Sequence, residues 1–305
     1  MARFLIRRLL RTVIVVWGVI TVVFVVLRLS GDPIALLVPA EATTEEVDRL
    51  REQRGLNEPL IVQYGIFLRD AARLDFGDSI RYGQDALDVV IDRIPATLQI
   101  ATAAFAVAVL VGLPIGILSA LRPNTLLDNV AVLVALVGQA VPTFFLGIVL
   151  ILVFAVRLGW FPTSGLDSPR GLVLPAITLG AFAMASITRL TRSAMLEVLG
   201  QDYVRTARAK GLGEARVVRG HALRNTLVPV VTIMGLQFGT LLGGSVVTET
   251  VFSLPGIGRL IIQAIENRDY PIVQAGVFLI AIGFVGVNLV VDILYAVLDP
   301  RIRLG

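Results

Sequence analysis

The sequence predicts an all-α integral membrane protein with six transmembrane helices, because apolar residues dominate it and gather in long continuous runs. Hydrophobic residues make up 56% of the 305 residues and charged residues only 16%, and the mean hydropathy is +0.83, which is typical of multi-span membrane proteins. A helix needs ~20 apolar residues to cross a bilayer, whereas barrel strands would alternate over ~10 residues. The predicted spans cover residues 9–29, 97–121, 130–156, 172–187, 227–248 and 273–298, of which the fourth is the shortest.

The distribution of arginine predicts that both chain ends lie in the cytoplasm, since short cytoplasmic loops retain positive charge. Arginines precede the first span and recur in the loop at 193–226, and six spans place these regions on the same side. The acid-rich segment 30–96 is then external. We therefore divide the chain into an N-terminal end with the first span (1–29), an extracytoplasmic helical cap (30–96) and a membrane-spanning core (97–305).

Other interpretations of the charged and polar residues are weaker. A cleaved signal peptide would have a much shorter apolar stretch followed by a small-residue cleavage site, so we expect a retained membrane anchor. Membrane topology already explains the formal net charge of +4, and we expect no nucleic-acid binding. With no cysteine and the single histidine His221, the chain offers no pattern for a metal site.

The external segment carries its own helix signals. Thr43 and Glu46 have the spacing of a capping box, with Gly55 as the stop. A second helix is predicted to begin at Pro59, a residue suited to a first helical turn, and a third, short helix covers 85–93.

The basic loop QDYVRTARAKGLGEARVVRGHALRN predicts two short helices before the fifth span. Asp202 can cap the first helix, and Gly211 stands where a left-handed residue would end it. The second helix is predicted to begin near Gly213. The small side chains of Ala207 and Ala209 would let another surface approach closely. The loop is therefore either a docking element or a topogenic segment that rests on anionic lipid.

This loop resembles that of the membrane-spanning subunits of binding-protein-dependent ABC importers, in the branch that imports dipeptides, oligopeptides and nickel. The family signature is EAA, three residues and then Gly; here Arg205, Thr206 and Ala207 stand in the EAA positions and Gly211 in the Gly position. The signature Glu is absent, but RTARAKGL followed by HALRN is the usual form in the peptide branch. Further similar stretches are LSGDP at 29–33, LNEPLIVQY at 56–64, LDFGDSI at 74–80 and ETVFSLPGIGRLIIQAIENRDYPIVQ at 249–274.

The resemblance implies the type I ABC importer permease fold, in the first of the two permease subunit types, in a bacterial or archaeal plasma membrane. It implies a path for di- or oligopeptides, with nickel or glutathione as alternative cargo. The implied partners are a homologous second permease, two ATP-binding subunits or domains, an extracytoplasmic solute-binding protein and membrane lipid. The loop at 193–226 is implied to couple to the ATPase through Asp202, Tyr203, Arg205, Thr206, Ala207, Arg208, Ala209, Lys210, Gly211, Leu212, His221, Arg224 and Asn225.

Catalytic chemistry is not expected in this chain. It has no G-x-x-x-x-G-K-[ST] phosphate loop, and its only lysine is Lys210, so ATP and Mg are expected on the partner subunits. A self-sufficient secondary transporter is the alternative from another class. It is disfavoured because the sequence has no clear inverted repeat and almost no acids within the spans.

Polar side chains within the predicted spans are candidates for the translocation path, because such residues are costly in lipid and usually face a bundle interior or water. The alternative role is interhelical hydrogen bonding, worth about 0.6 kcal/mol each. Gln139 and Pro142 together predict a break in the third span, and Asp292 is interpreted as snorkelling or pairing with Arg301. The candidate pathway-lining residues are Gln139, Pro142, Gln237, Ser245, Thr248 and Glu249; the outer gate segment comprises Phe252, Pro255, Gly256 and Gly258.

Overall fold

The computed structural model describes residues 2–29, 45 and 57–298, and the regular structure in these residues is helical apart from one β-bridge between Asp78 and Asp85. The helices are α1 (Ala2–Leu29), α2 (Leu60–Ala72), α3 (Ala86–Ile91), α4 (Ile94–Leu121), α5 (Leu126–Ala140), α6 (Thr143–Leu150), α7 (Val173–Leu199), α8 (Asp202–Ala209), α9 (Glu214–Val217), α10 (Leu223–Val251), α11 (Ile257–Glu266) and α12 (Tyr270–Leu298). A π-helical turn, Ile151–Arg157, extends α6; a 3-10 turn, Pro169–Leu172, precedes α7; and a second π-helical turn, Val218–Ala222, joins α9 to α10.

Some predicted features lie outside the described residues. They are the capping pair Thr43 and Glu46, the helix stop at Gly55, most of the LSGDP stretch, Arg301, and the side chain of Asp292.

Five helical segments are long and apolar enough to cross a membrane, and a bent pair makes a sixth if it counts as one span. The bent pair is the predicted third span: α5 and α6 meet at an angle of 109°. Pro142 precedes the first residue of α6, and Val141 is extended, with ψ 125°. Proline disfavours helical geometry in the residue before it, so the predicted break is confirmed. The cytoplasmic placement of both chain ends requires α5 and α6 to make one crossing, and it stays a prediction.

The fourth predicted span is longer than the sequence indicated. Its apolar run stops at Ile187, but α7 continues to Leu199 and carries two arginines in its second half. The prediction was wrong at this boundary because the end of an apolar run does not mark the end of a helix. Beyond the run, Arg192 pairs with the carboxylate of Asp128 on another helix, as charged residues in membrane helices commonly do.

The described parts of Met1–Pro95 and Pro255–Gly283 form one compact unit. Its core joins α1, α2, α3, α11 and the first half of α12. Phe24 of α1 packs on the ring of Phe67 with centroids 5.4 Å apart, and Phe76 packs on Phe278 at 5.2 Å. The buried carboxylate of Asp269, just before α12, accepts a 2.5 Å hydrogen bond from Ser79 Oγ. The turn at 77–79 is thereby tied to the start of α12.

The second compact unit comprises Ala96–Leu254 and the described part of Phe284–Gly305. Its centre is the packing of α4 and α10 on α7, which small residues make close. An ideal Cβ on Gly180 of α7 would lie 2.6 Å from the carbonyl oxygen of Ala104 on α4. Thr188 of α7 donates a 3.1 Å hydrogen bond to the carbonyl oxygen of Gly112 on α4. Close packing of one backbone on another therefore holds these helices together, in addition to the release of lipid from between them.

We predict that Gly180→Ala destabilises this unit, whereas Gly243→Ala does not. The added methyl at Gly180 would meet backbone, which cannot move aside cheaply, while nothing lies within 4 Å of a Cβ at Gly243. The expected loss is about 1–3 kcal/mol for overpacking. Thermal unfolding of the purified chain in mild detergent would measure it. Equal melting temperatures for the two variants would contradict the packing described here.

Candidate functional site

A cavity of about 740 Å³ opens between α5, α7 and α10. All of its walls belong to the second unit, and α7 supplies the largest share of polar atoms. The side chains that line it are Val132, Leu136, Gln139, Ser186, Arg189, Leu190, Arg192, Ser193, Ile233, Leu236 and Gln237. The lining combines aliphatic side chains with hydroxyl, amide and guanidinium groups. Mixed lining of this kind is typical of sites that accept polar organic molecules.

A short hydrogen-bond chain orders the polar side of the cavity. Gln139 Nε2 donates to Ser186 Oγ at 3.0 Å, and Arg189 Nη1 donates to Gln139 Oε1. Ser186 and Arg189 are one helical turn apart on α7, so they share a face. The amide of Gln139 thus links α5 to α7 and positions the guanidinium of Arg189.

The second arginine of the cavity is neutralised by a buried acid. Arg192 Nε and Nη2 donate to Asp128 Oδ1 and Oδ2 at 2.6 Å and 2.7 Å, a bidentate pair. Asp128 also accepts hydrogen bonds from Ser119 Oγ and the backbone N–H of Asn124. The side chain of Asp128 is 2% exposed. Both of its carboxylate oxygens accept hydrogen bonds within the protein, as a buried charge requires.

The structure separates the six predicted pathway residues into two groups. Gln139 and Gln237 line the cavity, and Pro142 is exposed at the break between α5 and α6. The three others are corrections, because their side chains are completely buried and line no open space. They are Ser245, Thr248 and Glu249.

Two of the three buried residues form hydrogen bonds within or between helices instead. Ser245 Oγ donates back to the carbonyl oxygen of Leu242 at 2.9 Å, and Glu249 Oε1 accepts from Thr97 Oγ1 at 2.8 Å. Thr248 Oγ1 has no hydrogen-bond partner among the described residues. A polar residue in a span can satisfy a neighbouring helix as well as a pathway, and spacing does not distinguish these cases.

Sequence reasoning missed the arginines and serines of α7. Ser186 lies within the predicted fourth span, whereas Arg189, Arg192 and Ser193 lie beyond its end at Ile187. A usable signal is present: Ser186, Arg189 and Ser193 recur at helical spacing across the end of the apolar run.

The predicted break at SLPGIG is present, since α10 ends at Val251 and α11 begins at Ile257. Ser253 follows with φ 54°, and Leu254 N–H bonds to the carbonyl oxygen of Glu249 at 2.8 Å, which is the pattern of a Schellman cap. Of the predicted outer gate residues, Phe252, Gly256 and Gly258 are buried and Pro255 is exposed.

In the basic loop, the first helix ends as predicted. Gly211 has φ 78°; its N–H bonds to Arg208 O at 2.9 Å, and Leu212 N–H bonds to Ala207 O at 3.4 Å. These two bonds form a Schellman cap, in which glycine avoids the Cβ penalty of a left-handed residue. The predicted cap at the start was wrong: the N-cap is Gln201, and Asp202 is the first helical residue. The Asp202 carboxylate still complements the helix dipole there.

The second predicted helix is not a separate element. It begins after Gly213 as predicted, but α9 runs through the π-helical turn into α10 without a break. Pro229 lies inside α10. Its missing N–H frees one carbonyl of the preceding turn but does not end the helix, because the span continues to be packed on α7.

The loop has a small core of its own. Val204, Ala207 and Val217 are buried together, with Leu212 packed against them. The expectation that Ala207 presents a small side chain to a partner is therefore corrected, because it is only 5% exposed. Ala209 remains exposed.

Polar contacts tie α8 to both α9 and α10. Asn225 Nδ2 donates to Tyr203 Oη at 2.7 Å, and Arg208 Nη2 pairs with Glu214 Oε1 at 2.7 Å. The hydrogen bond from Arg208 lowers the pKa of the Glu214 carboxyl, against the opposing effect of burial. A depressed pKa means that this pair stabilises the loop above the ordinary pKa of Glu and is lost as the pH falls through the lowered value. The bridge is thus intact at neutral pH.

Comparison with known proteins bears on both the cavity and the loop. Residues 112–304 match the family described as the binding-protein-dependent transport system inner membrane component, and residues 1–101 match its N-terminal companion. The chain belongs to this family of binding-protein-dependent permeases. The matched core contains all of the cavity and the basic loop.

Proteins that align with nearly the whole of this chain are named as permeases. The chain is 40% identical to the dipeptide transport system permease protein DppB of Alkalihalophilus pseudofirmus, over 99% of this chain and 100% of that protein. It is 43% identical to the glutathione transport system permease protein GsiC of Escherichia coli K12, over 99% of each. The chain is thus a permease subunit of an ABC importer, a non-catalytic multi-pass protein of the plasma membrane. Such a subunit works with ATPase and other subunits.

Solved structures agree on the fold. A chain from inward-facing crystals of the MetNI methionine ABC transporter matches with a TM-score of 0.54 at 20% identity, over 69% of this chain and 96% of that one. A chain from an amino acid ABC transporter with histidines matches with a TM-score of 0.54 at 17% identity, over 68% and 93%. The predicted type I ABC importer permease fold is confirmed.

We predict that Asp128→Asn destabilises the permease much more than Glu197→Gln, an exposed acid on the same helix as Arg192. Removing the carboxylate leaves the guanidinium of Arg192 without its bidentate partner. The expected cost is about 3 kcal/mol, at the low end for a broken buried pair because Arg192 stays partly exposed. Thermal unfolding in detergent would measure both variants. If D128N melted together with E197Q, the pair would not hold α5 to α7.

Proposed function

We propose that this permease forms a translocation path for di- and oligopeptides, together with a homologous second permease. The observation that carries the proposal is near full-length similarity to permeases named for dipeptide and glutathione transport. Glutathione is itself a tripeptide, so both names describe small peptide cargo. The cavity between α5, α7 and α10 is the part of this chain that would contribute to the path.

The lining of the cavity supports peptides over nickel. Its polar groups are guanidinium, amide and hydroxyl, and none of the lining side chains is an acid, a histidine or a cysteine. A divalent metal ion prefers carboxylate, imidazole or thiolate ligands. Glutathione remains compatible with the same lining.

We propose further that the basic loop at 193–226 docks on an ATP-binding subunit. The loop connects α7 to α10, and both of these helices line the cavity. If the loop moved as a rigid body, its movement would therefore be transmitted to the cavity through both α7 and α10. Rigidity is supported by the Schellman cap at Gly211, the core around Val204 and the bond between Tyr203 and Asn225.

The exposed surface of the loop suits a docking contact. It presents an aromatic ring, a small side chain and several cations: Tyr203, Arg205, Arg208, Ala209, Lys210, His221 and Arg224. ATP binding can shift the permease between two states only if this contact has different affinities in them. An extracytoplasmic solute-binding protein would deliver the cargo on the opposite side.

The first test is reconstitution. The tagged chain would be expressed with its genomic neighbours, purified in mild detergent and placed in liposomes. We expect a second permease and ATP-binding subunits to copurify, and dipeptide with binding protein to stimulate ATP hydrolysis and uptake. A chain that purifies alone and transports without ATP would overturn the proposal.

The coupling role predicts different effects for two glycines of the loop. A Cβ would meet nothing within 4 Å at Gly211 or at Gly213, but only Gly211 has a positive φ. Valine at Gly211 is therefore strained by about 1–3 kcal/mol and should distort the turn, whereas Gly213→Val should be tolerated. We expect G211V to reduce copurification of the ATP-binding subunits and uptake. If G211V matched G213V in both measurements, the loop would not be the coupling element.

A further inference from the structure

Arg189 carries the one charge of the cavity that the described residues leave without a counter-ion. The side chain is exposed to the cavity, and its hydrogen bond within the described residues goes to the neutral amide of Gln139. The other cavity arginine, Arg192, is paired with Asp128 through both carboxylate oxygens. No lining side chain is acidic. The cavity therefore has a net positive character that comes from a single guanidinium.

The guanidinium of Arg189 is held in place but keeps most of its donors available. Gln139 bonds to Ser186 through its amide nitrogen, which leaves its amide oxygen for Arg189. A guanidinium has five N–H donors in a planar fork, and only one of them is engaged here. Such a fork matches the two oxygens of a carboxylate, and a preorganised donor gives up less entropy on binding.

The cavity lining also includes apolar side chains, which offer little chemical selectivity. Four of them, contributed by α5, α7 and α10, are Leu136, Leu190, Ile233 and Leu236. Such side chains can accept varied cargo side chains through contact alone. A cargo with one constant anionic group and variable side chains fits this arrangement, and a peptide with a free terminal carboxylate is such a cargo.

We propose that Arg189 binds the terminal carboxylate of the peptide during its passage through the cavity, with Gln139 and Ser186 as positioning residues. The inference deepens the proposed peptide function and rests on it. Unpaired arginines are rare within membrane helices because they are costly there, and they mark solute pathways more often than packing. A snorkelling arginine that only anchors α7 is the simpler alternative, and it would be indifferent to the cargo.

The first experiment compares Arg189→Gln and Arg189→Lys with Arg170→Gln, an exposed arginine outside the cavity. Each variant is assembled with its partner subunits in proteoliposomes and supplied with binding protein loaded with dialanine. We expect R170Q to match the wild type. R189Q should lose about tenfold in uptake, as for one charge-assisted hydrogen bond. R189K should be intermediate, since it keeps the charge but not the planar fork.

The second experiment leaves Arg189 unchanged, so that a folding defect cannot obscure the answer. The chain contains no cysteine, and Ser193 is an exposed lining residue one turn beyond Arg189. Ser193→Cys would be labelled with a thiol reagent on the assembled transporter without binding protein. Dialanine should slow this labelling and its C-terminal amide should not. Ser168→Cys, at an exposed position outside both the cavity and the loop, should react equally under all conditions.

The outcomes separate this inference from the proposed function. If the wild type imports dialanine but R189Q imports it equally well, Arg189 is only an anchor and the peptide function stands. Equal effects of the acid and the amide on S193C, or none from either, would also overturn the carboxylate site. If the wild type imports no peptide at all, the proposed function fails and this inference fails with it.

Discussion

The bidentate pair between Asp128 and Arg192 is the interaction on which the cavity depends. It joins the first turn of α5 to the second half of α7, and Ser119 brings α4 to the same carboxylate. The pair holds the part of α7 that continues beyond its apolar run, as far as Leu199, against α5. The walls of the cavity, and the place of Arg189 beside it, follow from this continuation.

Small residues supply the second constraint. Gly112 and Gly116 of α4 and Gly180 of α7 bring backbones so close that added methyl groups would overlap carbonyl oxygens. In a bilayer the hydrophobic effect does not drive one helix onto another, so close contact and interhelical hydrogen bonds must hold them. A group of helices packed in this way resists deformation and moves as a body. That property suits a subunit that receives work from a separate ATPase.

The basic loop joins two helices that line the cavity. α7 leads into the loop and α10 leads out of it, and the loop's own core and cap restrict the movement of one helix relative to the other. The π-helical turn at Val218–Ala222 lies within the loop, before Pro229. Such turns insert an extra residue into a helix and often occur at functional positions. In the proposed coupling role, a displacement of the loop would alter the cavity without unfolding either helix.

The sequence by itself determined the membrane class, most of the spans, the break at Pro142 and the left-handed residue at Gly211. These features depend on local chemistry: apolar length, the missing N–H of proline and the missing Cβ of glycine. Only the tertiary structure decided where α7 ends, that Glu249 is buried against Thr97, and that Ala207 faces the loop core. Each of these depends on a partner distant in the chain, and residue type and spacing do not reveal whether a polar group meets another helix or water.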